Sequence, residues 1–324
     1  MKGKKFCKNL TYEVDLNGKE PEFFMKIGFE SIDEMKLSIA HKRFSNKGSG
    51  LVRHSGNPTG VRIIDGQKID GVYTGNKMDA RLYHNTIEEH IECLELGKDE
   101  RDLILISNGN LLNDYSYVAI VKEKEGWVTY HLRSEPFLGK PYTCLIVPEK
   151  GNPKIKDIMI GDSGLLESKE GTKWATYGHQ IVRNSQPVPL DEIIDRFYNV
   201  MHIFNLKDYG ANEIADIKKM NEIYSGFPDS FRDNMAHELR EGAARADYYH
   251  STLGVTNDSL AVLHSEGKVE EIAQKAIDRG MKDGIILDQG GSVGVYSSWN
   301  GFLTKSSYFR PDRISWIGVV LKNS

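Results

Sequence analysis

Gly284-Ile285-Ile286-Leu287-Asp288-Gln289-Gly290-Gly291-Ser292 is the stretch from which the rest of this chain is best read. The opening run, Gly284 to Leu287, has the length and apolar content of a strand buried on both faces. It stops on a carboxylate. Two glycines follow, which lets the backbone turn tightly and bring its N–H groups close to an anion, and Ser292 adds a hydroxyl donor. A strand ending this way suits a phosphate or a sugar. The competing reading is an ordinary tight turn in which Asp288 only caps the residues after it.

Upstream of this stretch the pattern is β-α-β. Thr252-Leu253-Gly254-Val255 and Leu260-Ala261-Val262-Leu263-His264 read as strands. Val269, Ile272, Ala273, Ala276 and Ile277 then recur on one face of a helix that Gly280 closes. Further back, residues 1–189 are mostly short alternating or apolar runs broken by Gly, Asn and Asp, which is the pattern of strands and turns. Examples are Gly60 to Gly66, Asp102 to Ser107 and Trp127 to Leu132. Asp65-Gly66 and Asn108-Gly109 are hairpin signals. After Pro187-Val188-Pro189, Leu190, Ile193, Ile194, Phe197, Val200, Met201 and Phe204 take up helical spacing. Further helical stretches near 212–224 and 230–246 make residues 190–245 a helical insertion or subdomain, with 246–324 carrying the quoted strand.

Composition narrows the function classes. The 324 residues are 39% hydrophobic and 27% charged with a net charge of −4, as for a globular protein with a sizeable core. Lys and Arg are interspersed with acids, so no basic stripe tracks a nucleic-acid backbone. The longest apolar runs, such as Trp316 to Leu321, are too short to span a bilayer. Met1 to Lys8 leads into an alternating segment without a signal-peptide apolar core. The three cysteines, Cys7, Cys93 and Cys144, are widely spaced, which points to a reducing compartment such as the cytoplasm. His90 and Cys93 stand at i, i+3, but no second ligand pair accompanies them. No metal or cofactor is expected.

With those residues in view, the C-terminal third resembles the phosphodiester glycosidase family. His250-Ser251-Thr252-Leu253-Gly254-Val255 resembles the family's Arg-led strand. Ile286 to Ser292 is similar to its strand ending in Asn-Leu-Asp-Gly-Gly-Gly-Ser, and Arg310-Pro311 through Val319 resembles its closing segment. Weaker likenesses lie at Ile39-Ala40-His41-Lys42-Arg43-Phe44-Ser45-Asn46, at Gly60 to Gly66 and at Thr176-Tyr177-Gly178-His179-Gln180. The chain departs from the family pattern at His250 (usually Arg), at Gln289 (usually Gly) and at His41-Lys42 (usually Asn-Gly or Asn-Ala). A different ligand is the simplest account of those departures.

The resemblance implies an α+β fold with a mixed β-sheet core, and hydrolysis of a sugar-1-phosphodiester or related glycosidic bond in a phosphorylated or nucleotide-like molecule. In that scheme Asp288 is the sugar-side carboxylate, and His179 and His250 are proton carriers. Gln289, Gly290, Gly291 and Ser292 hold the phosphate with help from Arg245 or Arg310, while His41 and Arg43 line the site. Structural roles compete for each residue: Arg310 pairs equally well with Asp312, and any of the histidines can be a core residue. Tyr248-Tyr249 either stacks on a sugar or base, or is split between the core and the surface of a strand. A binding protein that has lost turnover but keeps the pocket is the alternative function, and oligomeric state is not legible.

Overall fold

The computed structural model describes residues 10–32, 36–40, 61–64, 67–69, 91, 102–107, 118–123, 126–131, 141–159, 172–196, 244–307, 309 and 316–321. The apolar run at Gly284 forms β16 (Asp283–Gln289), inside a seven-stranded sheet. Its neighbours are β14 (Tyr248–Val255) and β12 (His179–Arg183). Outside β14 lie β15 (Ser259–Gly267), β2 (Glu22–Gly28) and β1 (Leu10–Asp15), and outside β12 lies β13 (Gln186–Pro187).

The sheet is buried on both faces near its middle, where Leu260 to Leu263 and Gly284 to Leu287 read as unbroken apolar runs. On one face Phe23, Met25, Leu253, Val262, Ile285 and Leu287 share a core with Ile104, Leu145, Val295 and Val319. Those last four come from other sheets: β6 (Asp102–Ser107), β9 (Pro141–Pro148), β17 (Gly294–Ser297) and β19 (Trp316–Leu321). On the other face Ala261, Leu263 and Ile286 pack with Val269, Ile272, Ala273 and Ala276. These are four of the five residues of the apolar stripe expected from the sequence, the fifth, Ile277, being partly buried against the same core, and they lie on a helix at Val269–Asp278. Each fully buried Val or Ile contributes about 1.5–3 kcal/mol. Gly280, at φ +87°, ends the helix with its N–H donated to Ile277 O and that of Met281 to Ala276 O.

The expectation of an α+β fold with a mixed sheet is overturned. Every strand pairing among the described residues is antiparallel. The described helices are short: α1 (Phe29–Ile32), α2 (Leu190–Arg196) and α3 (Val269–Asp278) have 4, 7 and 10 residues. The fold is β-rich. The β-α-β segment does place β15 and β16 in the same direction, but β14 is inserted between them and pairs antiparallel with both. Periodicity registers the crossover and not the strand that fills it.

A five-stranded sheet runs β18 (Gly301–Lys305), β17, β6, β19, β3 (Lys36–Ala40). A four-stranded sheet runs β5 (Gln67–Ile69), β4 (Val61–Ile64), β8 (Gly126–His131), β7 (Val118–Glu123), and a three-stranded one runs β10 (Lys154–Met159), β9, β11 (Thr172–Tyr177). In the four-stranded sheet Ile64 faces Gln67 across the two positions of the Asp65-Gly66 signal. The Asn108-Gly109 signal lies outside the described residues; β6, which precedes it, pairs with β17 and β19, and β7 belongs to another sheet. The α2 helix buries Ile193 and Ile194, and its Arg196 bonds Asp157 at 2.9 Å. Residues 197–243 of the expected helical region, and His90 with Cys93, lie outside the described residues. No described helix is long and apolar enough to cross a membrane.

Candidate functional site

The Asp288 to Ser292 stretch is the passage from the seven-stranded sheet to the five-stranded one. Gln289 is still extended, Gly290 takes φ +73°, and Gly290–Ser292 form a single 3-10 turn that Val293 N–H closes onto Gly290 O at 3.2 Å. The positive φ is the reason for a glycine at 290. Just before the turn the β14/β16 register slips: Ser251 faces Asp288, yet Thr252 faces Ile286. A bulge beside a turn re-aims the residues that follow it.

Register brings other chain segments to the same end of the sheets. β17 starts at Gly294, Val295 faces Ile106, and Ser107 at the end of β6 faces Trp316 at the start of β19. Trp316 in turn faces Ala40, the last residue of β3. Ala40 precedes His41, and Trp316 follows the Arg310 segment. The strand ends that bracket three of the motif segments therefore converge where the Asp288 turn leaves β16. His41, Arg43 and Arg310 themselves lie outside the described residues.

Among the described candidates, His250 faces Gln289 directly across the β14/β16 pair and is fully buried. Its Nε2–H donates to Gly267 O at 2.8 Å, which fixes the tautomer and leaves Nδ1 as a buried lone pair without a partner among the described residues. Burial pushes its pKa down to about 4, opposed by the Gly267 bond and the charge of Asp247, with Lys275 lowering it further. At neutral pH it is an uncharged imidazole. His179, 2% exposed, faces Ile286 from β12 on the far side of β16. Strand spacing and rise put its backbone roughly 14 Å from that of His250. The two histidines are not a pair, and both are buried. Arg245 is exposed, three residues ahead of Tyr248.

Sequence reasoning did not single out His264 on β15. It is fully buried, and its Nε2 meets Ser251 Oγ at 2.9 Å. Its ring lies edge-on to Phe23 and Tyr249, at centroid distances of 5.9 and 6.1 Å. Burial lowers its pKa to about 3, and Nδ1 has no partner among the described residues. A lone histidine at the end of an apolar strand gives no signal of such a contact. The two tyrosines divide between core and surface: Tyr249 is 3% exposed, where burial raises its pKa, and Tyr248 is 43% exposed. No group of three or more His, Cys, Asp or Glu among the described residues is arranged to hold a metal ion.

No family model and no curated protein matches the chain. Among solved structures it is similar to the catalytic domain of zebrafish N-acetylglucosamine-1-phosphodiester alpha-N-acetylglucosaminidase, autoinhibited by its pro-peptide. That match has a TM-score of 0.47 and 11% identity, covering 98% of this chain and 85% of that one. A hypothetical protein from Synechocystis gives TM-score 0.36 and 11% identity over 98% and 63% of the two chains. A protein from Burkholderia pseudomallei gives 0.41 and 10% over 93% and 74%. Likeness at this level assigns no chemistry, so any functional reading rests on the residues of the chain itself.

Proposed function

We propose that the chain is a hydrolase of a sugar-1-phosphodiester or a related glycosidic bond in a phosphorylated or nucleotide-like substrate. The observation that supports it is the convergence of β3, β6, β17 and β19 ends on the Asp-Gln-Gly-Gly-Ser turn at the end of β16. In this reading water attacks the anomeric carbon, the bond from that carbon to the phosphate oxygen breaks, and the phosphomonoester departs. A phosphate is a good leaving group, so the rate depends more on stabilising the oxocarbenium-like sugar than on a general acid. Asp288 is the carboxylate for that sugar. The amides and hydroxyl of Gly290, Gly291 and Ser292 receive the phosphate, with Gln289 beside them and Arg245 and Arg310 as charged donors. His250 backs the turn from its place opposite Gln289.

The burial of both histidines favours a second reading, a binding protein for the same phosphorylated sugar or nucleotide that has lost turnover. One experiment separates the two. Free sugar and phosphomonoester are measured after incubation with a panel of sugar-1-phosphodiesters and nucleotide-sugars, for the wild type and for Asp288→Asn. Turnover that falls about a hundredfold or more in the variant is expected of the enzyme. Binding without product on any member, lost in Asp288→Asn, supports the binder. Neither turnover nor binding rejects both.

A further inference from the structure

The Tyr248-Tyr249 pair is a motif of the sequence that the proposed chemistry leaves unused. Strand alternation turns Tyr249 into the core and leaves Tyr248 exposed at the first position of β14. Its strand partner on β15 is Gly267, which carries no side chain of its own to cover the ring. On the other side its Cδ1 lies 4.0 Å from where a Cβ on Gly290 would be, so the ring borders the turn itself. Its orientation is steadied by an edge contact with the buried His250 ring, at 6.5 Å and 68°. An aromatic ring held at its edge, with glycines as its cross-strand partner and turn neighbour, has the form of a stacking platform.

We propose that Tyr248 is that platform. It takes the flat or apolar face of the ring attached to the phosphate, whether a pyranose or a nucleobase, and so determines which phosphorylated molecules the turn retains. This rests on the turn being a phosphate site. Tyr249 cannot share the role, since its ring is packed edge-on to His264 inside the core. The contact is made by a ring face and not by the hydroxyl, so phenylalanine should replace it.

The test is calorimetric titration of the full chain with inorganic phosphate, a hexose 1-phosphate and a nucleoside 5′-monophosphate, for wild type, Tyr248→Phe and Tyr248→Ala. The expected result is that one ring-bearing probe binds the wild type more tightly than phosphate alone. Tyr248→Ala should remove about tenfold of that advantage, while Tyr248→Phe keeps it and phosphate affinity is unchanged in both. Whichever ring-bearing probe gains identifies the source of the ring. Equal affinity of wild type and Tyr248→Ala for that probe overturns the platform and leaves the phosphate reading intact. A parallel loss of phosphate affinity in Tyr248→Ala also overturns it, since the residue would then be maintaining the turn. Failure of the wild type to bind any of the three rejects the phosphate site and the platform together.

Discussion

Mild acid should destabilise this protein through two histidines that a neutral buffer leaves silent. His250 and His264 are fully buried, and burial is the first cause of the lowering of their pKa values to about 4 and about 3. The groups facing His250 include the Gly267 carbonyl, Asp247, Lys275 and the Tyr248 ring, with Gln289 opposite it, and the rings and hydroxyl around His264 include Phe23, Tyr249 and Ser251. In the unfolded chain each imidazole titrates near 6.5. The folded pKa values are depressed, so the unfolded state binds more protons throughout the interval. The stability these groups contribute is complete above about pH 6.5 and is lost as pH falls toward the folded values. Between about pH 7 and about pH 5 the loss is about 2 kcal/mol for each histidine and about 4 kcal/mol for both. The measurement is urea unfolding at the two pH values for wild type, His250→Gln, His264→Gln and the double variant. Each glutamine can keep a hydrogen bond to Gly267 O or Ser251 but cannot titrate there. The variants lose stability at neutral pH, yet their acid sensitivity should fall in steps of about 2 kcal/mol. A double variant whose stability drops between the two pH values as much as that of the wild type would refute the argument.

Two further outcomes follow from packing. Gly178→Ala would place a Cβ 2.5 Å from Ile286 O and 2.9 Å from the Ile285 side chain, against the middle of the seven-stranded sheet. Neither the backbone nor a buried isoleucine can yield there, so thermal unfolding should show a loss of about 3 kcal/mol. Cys144 is fully buried in β9 and its thiol pKa is pushed up by that burial, so a thiol reagent should label it only as fast as the chain opens. Labelling at the rate of an exposed cysteine under native conditions would show that β9 is not closed over it.

The parts of this architecture that were legible in the sequence are those fixed by local periodicity. The stripe Val269, Ile272, Ala273, Ala276 can only cover an apolar face, Gly280 can only end that helix, and Gly284 to Leu287 can only be a strand buried from both sides. Fold class was not legible, because it depends on partners distant in sequence. β16 pairs with β12, about a hundred residues earlier, and β14 inserts between two strands that the chain connects through α3. The same holds at the candidate site. Asp288 and its glycines announce themselves by composition, whereas the Ser251–His264 contact depends on β14/β15 register, and the burial of His179 and His250 depends on which sheet face each occupies.

The charges around this end of the sheet constrain how a phosphate would be held. Lys19 reaches Glu266 at 2.6 Å, and Lys275 donates to Ser265 Oγ and to Glu266 O. Arg279 bridges Glu13 and Glu22, and the Glu20 carboxylate accepts both the N–H and the hydroxyl of Ser307. These groups tie the β1–β2 hairpin and the turn after β18 to the central sheet. Their cations already face carboxylates or carbonyls, and drawing one away to an anion would leave its acid uncompensated. On the proposed reading the phosphate is then left chiefly to the backbone and hydroxyl of Gly290 to Ser292. Backbone donors do not move with the substrate and are little screened by salt, unlike a patch of surface lysines. Such a site discriminates by shape and ring contact more than by net charge, and the exposed ring of Tyr248 beside Gly290 is placed to make that contact.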